Sequence, residues 1–409
     1  MEHSARNYYK NANSTYSDEL FSTVCLLRCD MSQPNEFPAY QFRYVRYCGV
    51  AEQPTWWYRC RLWYAFILLS SFCPLHVFYL VKTPLSDLIV TCEEIMLLQL
   101  NATVVLKFIL FVSHHEEMYN LVHSFKSVQK CITVDELPRF VKCNEIHAKL
   151  VRVYVIGTTI IVALYELNAI ATSVSLSLQQ QHVHFVTPFS FPFNYQHPVV
   201  YALCFLHNLD SMLLTVFISV TIDVCYSEMA TNLAIHFDIV RERFERLDIS
   251  ADQPFADREL KQVISYHSDV LSLAQKMTHL FQASVFYLLL LVSTILCLLG
   301  YEFVMVNNIY KRAQVVFLAS IIIGQAVIYT YHGSAIRDHS VNVSDSVYAT
   351  NWYEATTAIK KQIHISLMRA QTPVIIKSGF IEASLPTLKK ILSSSASYIT
   401  MLMSLEPDV

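Results

Sequence analysis

The sequence predicts an all-α membrane protein with seven transmembrane helices, and composition and apolar clustering are the first two signs of it. Of the 409 residues, 54% are hydrophobic and 15% are charged, whereas a soluble domain carries about 25% charged residues. The apolar residues also cluster into seven stretches, each long enough for the roughly 20 helical residues that cross the hydrocarbon core. These stretches are Arg61–Lys82, Ser86–Val112, Leu150–Val174, Pro198–Cys225, Leu280–Val304, Gln314–Ala335 and Leu385–Leu405.

Positive charge predicts how these helices are oriented. Between the stretches, 22 Lys and Arg residues fall in alternate segments and 2 fall in the others. Cytoplasmic loops carry the excess of Lys and Arg, so the N-terminus is expected in the cytoplasm and the C-terminus, after seven crossings, outside the cell. A G-protein-coupled receptor has the opposite orientation. The segments rich in Lys and Arg are 1–60, 113–149, 226–279 and 336–384.

The cytoplasmic segments are predicted to be helical. Met118, Leu121, Val122 and Phe125 recur at helical spacing, and such apolar faces must pack either on one another or on another subunit. The chain is therefore expected to have four regions. They are a cytoplasmic N-terminal segment (1–60), a six-helix transmembrane bundle with a ligand pocket and intracellular helical segments at 113–149 and 226–279 (61–335), a cytoplasmic segment (336–384), and a seventh helix with a short extracellular end (385–409).

One predicted outer loop, 175–197, differs from the other loops in composition. It contains no Lys, Arg, Asp or Glu and is rich in Phe, His and Pro. Such a loop either folds over the membrane mouth as a lid or simply connects two helices, with prolines for stiffness.

The sequence contains no enzyme motif that we can identify. A chain with only six glycines has no GxGxxG, phosphate-binding loop or GxSxG. The run His114-His115-Glu116-Glu117 with His123 resembles a metal cluster, but it is not an HExxH motif, and a solvated helix start explains it better. We therefore expect no catalytic residue, no metal and no cofactor.

A small apolar ligand is expected in the outer halves of the second, third, fourth and sixth stretches. Aromatic and adaptable side chains lie there among a few polar ones, which is the lining that ligand pockets have; ordinary helix packing explains each residue taken singly. The candidate ligand-binding residues are Ile161, Tyr165, Tyr201, Phe205, Asn208, Met212, Phe317, Ile321 and Gln325.

The last stretch is a candidate pore helix. Ser394, Ser397, Met401 and Leu405 fall on one helical face, which combines hydroxyls with an apolar end. Hydrophobic constrictions gate channels by dewetting, and a pore of this kind needs several subunits around an axis. The alternative is that the small residues only permit close helix packing.

The C-terminal third resembles the insect odorant receptor family. The pattern G-x6-S-x2-V-x4-Y-x3-W is present, as is M-x-[SA]-Q-x-P, while Thr330 departs from the family by replacing a frequent Cys. The residues that carry the resemblance are Gly333, Ser340, Val343, Tyr348 and Trp352, then Met368, Ala370, Gln371 and Pro373, then Ser384, Leu385, Leu392, Ser397 and Tyr398, with His267 upstream.

This resemblance implies a ligand-gated, non-selective cation channel that assembles as a heterotetramer with a common co-receptor subunit. The last helix of each subunit is expected to line the pore, and the cytoplasmic helices to form an anchor domain that holds the subunits together. The chain lacks the long intracellular insertion of the co-receptor, so it resembles an odorant-tuning subunit. Its expected partners are then a small volatile odorant, permeating cations and membrane lipid, and no nucleic acid is expected. The expected location is the plasma membrane of an olfactory neuron's dendrite.

Three other interpretations are weighed against this one. A gustatory receptor of the same superfamily forms homomeric channels, but its closing T-Y-x5-Q-F signature is incomplete here because the Gln-Phe pair is missing. A receptor coupled to G proteins requires an extracellular N-terminus. A transporter is expected to show inverted repeats or broken helices, and we identify neither in the sequence.

Overall fold

Long helices make up almost all of the structure. A computed structural model describes residues 56–82, 88–178, 191–194, 197–249 and 253–404. Within these residues the elements are α1 (Trp56–Lys82), α2 (Leu88–Ser113), α3 (His115–Gln129), α4 (Leu137–Leu178), α5 (Pro198–Glu245), α6 (Gln253–Met305), α7 (Ile309–Tyr348), a 3-10 turn (Trp352–Glu354), α8 (Thr357–Ala370), β1 (Lys377–Ser378), β2 (Ile381–Glu382) and α9 (Leu385–Ser404).

Six helices of the described chain are long and apolar enough to cross a membrane, in agreement with the first six predicted stretches. The candidate spans are Arg59–Lys82, Ile89–Ser113, Leu137–Leu167, Pro198–Glu245, Pro254–Met305 and Ile309–Tyr348. The seventh predicted stretch forms α9, whose 20 residues reach about 30 Å. It is less apolar than the other six because of its serines and the two lysines of its second turn. The predicted all-α class is confirmed.

Several helices extend far beyond the predicted spans. Helix α6 has 53 residues, which is about 80 Å at 1.5 Å per residue, whereas the hydrocarbon core is about 30 Å thick. The predicted span Pro198–Cys225 and the amphipathic segment after it likewise form one continuous helix, α5. The segments predicted to be cytoplasmic are thus largely continuations of the membrane helices.

Helix α5 is the central helix of these extensions. From Thr221 to Ala230 every residue is buried, which means that neighbours surround the helix on all sides. The ring of Tyr226 stacks on Tyr329 of α7, with the ring centroids 4.4 Å apart, and its hydroxyl donates to the Tyr329 carbonyl at 3.2 Å. The extensions of α5 and α7 are therefore packed as one unit.

The amphipathic segments pack on one another. The predicted apolar face of α3 is buried, with Leu121 and Phe125 at 0% exposure. Near α3, Arg243 of α5 makes a bidentate ion pair with Glu136, both N–O distances being 2.7 Å. Burial alone raises the pKa of the Glu136 carboxyl, but the hydrogen bonds from Arg243 and from the Thr133 N–H outweigh it and lower the pKa below its usual range. One subunit thus satisfies these faces internally.

Two residues of the C-terminal motif hold the chain before α9 against α7. A Cβ at Gly333 would overlap the carbonyl oxygen of Ala383, so this close approach requires glycine. The Ser340 hydroxyl accepts from the Val374 N–H at 3.0 Å. Beside the motif glycine, Ser334 accepts from the Leu385 N–H at 2.9 Å. This part of α7 therefore fixes the point at which α9 begins.

Helix α9 then packs along α6. The Ser395 hydroxyl donates to the Ser293 carbonyl at 3.1 Å, and the Ile399 side chain fills the space beside Gly300 so tightly that a Cβ there would overlap it. One face of α9 is thus committed to α6, and the opposite face is exposed.

Most of the outer loop 175–197 lies outside the described residues, including the positions that would decide between a lid and a connector. In its described part, Phe191 is buried and packs with Phe72 of α1 and Cys204 of α5. The end of the loop is thus attached to the bundle.

Candidate functional site

A cavity of about 360 Å³ lies inside the transmembrane bundle. Its walls come mainly from α2, α4, α5, α6 and α7, and they are largely apolar. The cavity lies in the half of the bundle where α6 ends and α7 begins, away from the helical extensions. Enclosed, mostly apolar spaces with a few polar groups are the usual form of small-molecule sites.

Six of the nine candidate ligand-binding residues line this cavity. They are Ile161, Tyr165, Met212, Phe317, Ile321 and Gln325. The other three, Tyr201, Phe205 and Asn208, lie on α5 before Met212 and do not contribute to the wall. The rings of Tyr201 and Phe205 contact each other, with centroids 6.2 Å apart, and Asn208 is fully buried in helix packing.

The second stretch, α2, is expected at the ligand site without any named residue, and the contribution of α6 is not predicted. Met96, Leu100 and Val104 of α2, together with Leu288 and Ile295 of α6, form much of the wall. These residues are apolar, and they lie in the strongly apolar membrane-spanning parts of α2 and α6. No change in residue type distinguishes the cavity face of such a helix from its other faces.

The end of the cavity nearer the helical extensions is closed by a polar network around Asp223. The carboxylate is fully buried and accepts from the Lys107 ammonium at 2.8 Å and from the Tyr329 hydroxyl at 2.8 Å. Two residues of the cavity wall, Gln325 and Tyr154, also donate to it, at 2.5 Å and 3.2 Å. A charge inside a membrane bundle is stable only when it is paired and hydrogen-bonded, and this network connects α2, α4, α5 and α7.

Three charged side chains line the opposite end. Lys311, at the start of α7, donates to Glu93 of α2 at 2.7 Å, and its ammonium lies 3.7 Å from Glu302 of α6. Helix α7 begins here because the Asn308 side chain caps it, accepting from the Tyr310 N–H at 2.9 Å. The cavity is thus apolar along its walls and charged at both ends.

Three of the four predicted pore residues are exposed on α9. Ser394, Ser397 and Met401 lie on the face opposite α6, and Met401 is 61% exposed. Leu405 lies outside the described residues. In the described chain this face is open to contacts with other subunits or to water.

The run of histidines and glutamates after α2 forms the start of α3. Glu117 lies 3.5 Å from His279 of α6. Across the described residues, no group of three or more His, Cys, Asp or Glu is placed to hold a metal ion.

Comparisons with known proteins point in one direction. The family model described as 7tm Odorant receptor matches residues 88–396. The chain is 24% identical over 321 residues to Odorant receptor 82a of Drosophila melanogaster. This match covers 75% of this chain and 82% of that protein. It is 26% identical over 234 residues to Odorant receptor 9a of the same species, and there the match covers 56% of this chain and 58% of the relative.

Solved structures show the same architecture. The insect olfactory receptor OR5 from Machilis hrabei in complex with eugenol superposes with a TM-score of 0.75 at 11% identity, covering 90% of this chain and 98% of that one. A second structure of the same receptor gives a TM-score of 0.72 at 12% identity, covering 86% and 89%. At this identity the similarity is one of fold, and the seven-helix architecture is shared.

Proposed function

Because the chain belongs to the 7tm odorant receptor family, whose model matches residues 88–396, we propose that it is the odorant-binding subunit of a ligand-gated, non-selective cation channel. Its family and fold are those of a receptor and not of an enzyme. The family resemblance drawn from the C-terminal motifs is thus confirmed. The ligand, the conducted ions and the partner subunit are the content of the proposal.

The internal cavity is the observation that carries this proposal. Its volume of about 360 Å³ lies near the lower end of the roughly 300–1,000 Å³ typical of small-molecule sites, which suits a small volatile. A receptor of the same fold has been solved in complex with eugenol. We place the odorant against Ile161, Tyr165, Met212, Phe317 and Ile321, with Gln325 at the Asp223 end.

Helix α6 provides a direct route from the cavity to the pore helix. One face of this helix lines the cavity through Val292 and Leu299. The adjacent residues Ser293 and Gly300 hold α9 through Ser395 and Ile399. A ligand that binds one position of α6 better than another therefore shifts the population of α9 positions as well.

In this proposal the exposed face of α9 lines a central pore. Ser394 and Ser397 provide a wettable surface, and Met401 with Leu405 forms the constriction. A single chain provides one such helix, so the pore requires a ring of subunits, which we assign to a heterotetramer with the odorant co-receptor. The charge distribution favours a cytoplasmic N-terminus. The channel is assigned to the plasma membrane of an olfactory neuron's dendrite.

The test is current recording from cells that express the chain with and without a co-receptor, during exposure to a mixed odorant panel. Ile321→Trp fills part of the cavity and is expected to raise the effective concentration of every active odorant at least tenfold. Val316→Trp is the matched control, because Val316 is 50% exposed on the same helix and does not line the cavity. Equal responses of both variants and the parent chain would remove the cavity as the odorant site.

The same recordings test the assembly. Odorant-evoked current only with the co-receptor supports the heteromeric channel. Full current from the chain alone contradicts it and favours the homomeric alternative.

A further inference from the structure

One carboxyl group in the cavity wall has no hydrogen-bonding partner among the described residues. Glu302 of α6 is 3% exposed and lines the cavity. Its nearest cation is the ammonium of Lys311 at 3.7 Å, which is too far for a hydrogen bond. A buried acceptor without a donor is unfavourable.

The neighbouring cations are occupied elsewhere. Lys311 binds Glu93 at 2.7 Å, so two carboxyl groups share one ammonium. Arg312, the next residue, donates to the Val306 carbonyl at 2.5 Å and does not reach Glu302. The acceptor capacity of Glu302 is therefore left for something inside the cavity.

Three other polar groups of the wall are hydrogen-bonded within the bundle. Gln325 donates to Asp223 and, at 3.0 Å, to Ser219. Asn101 donates to Thr215 at 3.4 Å, and the Thr215 hydroxyl donates to a backbone carbonyl. Glu302 differs from these three groups, because the cation paired with it among the described residues, Lys311, is 3.7 Å away and is shared with Glu93.

We propose that Glu302 accepts a hydrogen bond from the odorant, so that the receptor prefers small volatiles with an O–H or N–H donor over analogues in which that donor is methylated. This inference rests on the proposed function, because it requires the odorant to occupy this cavity. A site built to hydrogen-bond its ligand rejects analogues that lack the donor, since the buried group is then left unpaired.

The test uses the full chain with the co-receptor and three matched pairs of odorants. They are hexanol with hexyl methyl ether, benzyl alcohol with benzyl methyl ether, and aniline with N,N-dimethylaniline. The first two pairs test a hydroxyl donor on aliphatic and aromatic skeletons, and the third tests an amine. We expect the donor member of at least one pair to be more potent by about tenfold or more.

Glu302→Leu is expected to abolish this difference by weakening the donor member while leaving the methylated member unchanged. If that variant does not reach the cell surface, Glu302→Gln keeps the shape, removes the charge and is expected to reduce the difference. Glu166→Leu is the control, because Glu166 is a buried carboxyl of α4 outside the cavity wall.

Three results would overturn the inference: no response to any donor member, equal potency within every pair, or an unchanged difference in both Glu302 variants. The proposed function fails separately. If Ile321→Trp leaves all responses intact, the odorant does not occupy the cavity. If Ile321→Trp weakens every response but Glu302→Leu does not discriminate, the cavity is the site and Glu302 is not the anchor.

Discussion

The buried pair of Lys107 and Asp223 allows a quantitative test of how the bundle is held together. Its charged atoms lie 2.8 Å apart, and the side chains are 2% and 0% exposed. Removing one partner of such a pair costs about 3–5 kcal/mol, because the other charge stays buried without compensation. In Lys107→Met, Asp223 keeps the donors Tyr154, Tyr329 and Gln325, so we expect about 3 kcal/mol, the lower end of that range.

The double variant Lys107→Met/Asp223→Asn supplies the decisive comparison. The amide that this variant carries at position 223 has no charge, and its oxygen still accepts hydrogen bonds from the neighbouring hydroxyls. We therefore expect the double variant to be more stable than Lys107→Met alone, with a coupling free energy of about 1–3 kcal/mol. The assay is denaturant unfolding of the purified chain in detergent, with the parent chain, both single variants and the double variant measured under the same conditions.

The coupling free energy decides whether the two charges stabilise each other. If the two substitutions simply add, the coupling free energy is zero and the two charges do not depend on each other. The Asp223 end of the cavity would then not be held by this ion pair.

Three further predictions concern the path to the pore helix. Gly333→Ala forces a Cβ into a backbone carbonyl and is expected to reduce odorant-gated current at the cell surface severely. The control Gly324→Ala, whose added Cβ meets no neighbouring atom within 4 Å, is expected to leave that current intact. Equal currents in the two variants would contradict the packing at Gly333. Gly300→Ala is expected to shift the odorant dose–response, and Ile399→Ala to restore it by making room; a shift that persists in the double variant would refute the contact. Met401→Ser is expected to raise current in the absence of odorant, and unchanged basal current and gating would remove Met401 from the constriction.

Local sequence is sufficient to locate the apolar helices. Hydropathy and length depend only on neighbours along the chain, and the first six predicted stretches correspond to helices α1, α2, α4, α5, α6 and α7. The helix ends are less predictable. Nothing after Cys225 stops α5, since the residues up to Glu245 contain neither Gly nor Pro, and burial by neighbouring helices keeps that extension ordered.

The cavity is predictable from the sequence only in part. Ile321 and Gln325 stand out because they are an adaptable residue and a polar one in an apolar stretch. Tyr201 and Phe205 have the same character but lie on a part of α5 that does not form the cavity wall. The carboxyl of Glu302 does not stand out, because its significance depends on its 3.7 Å distance to Lys311 and on the sharing of that ammonium with Glu93.

Residue type and spacing along the chain were enough to establish the fold class and, through the motif around Gly333, the family. Three properties depend instead on tertiary packing. They are the choice of helix faces that surround the cavity, the connection of four helices by Asp223, and the double role of one stretch of α6, which lines the cavity and holds α9. These properties depend on how each helix is rotated and placed against the others, and a helix that is apolar on every side carries no local signal of that rotation.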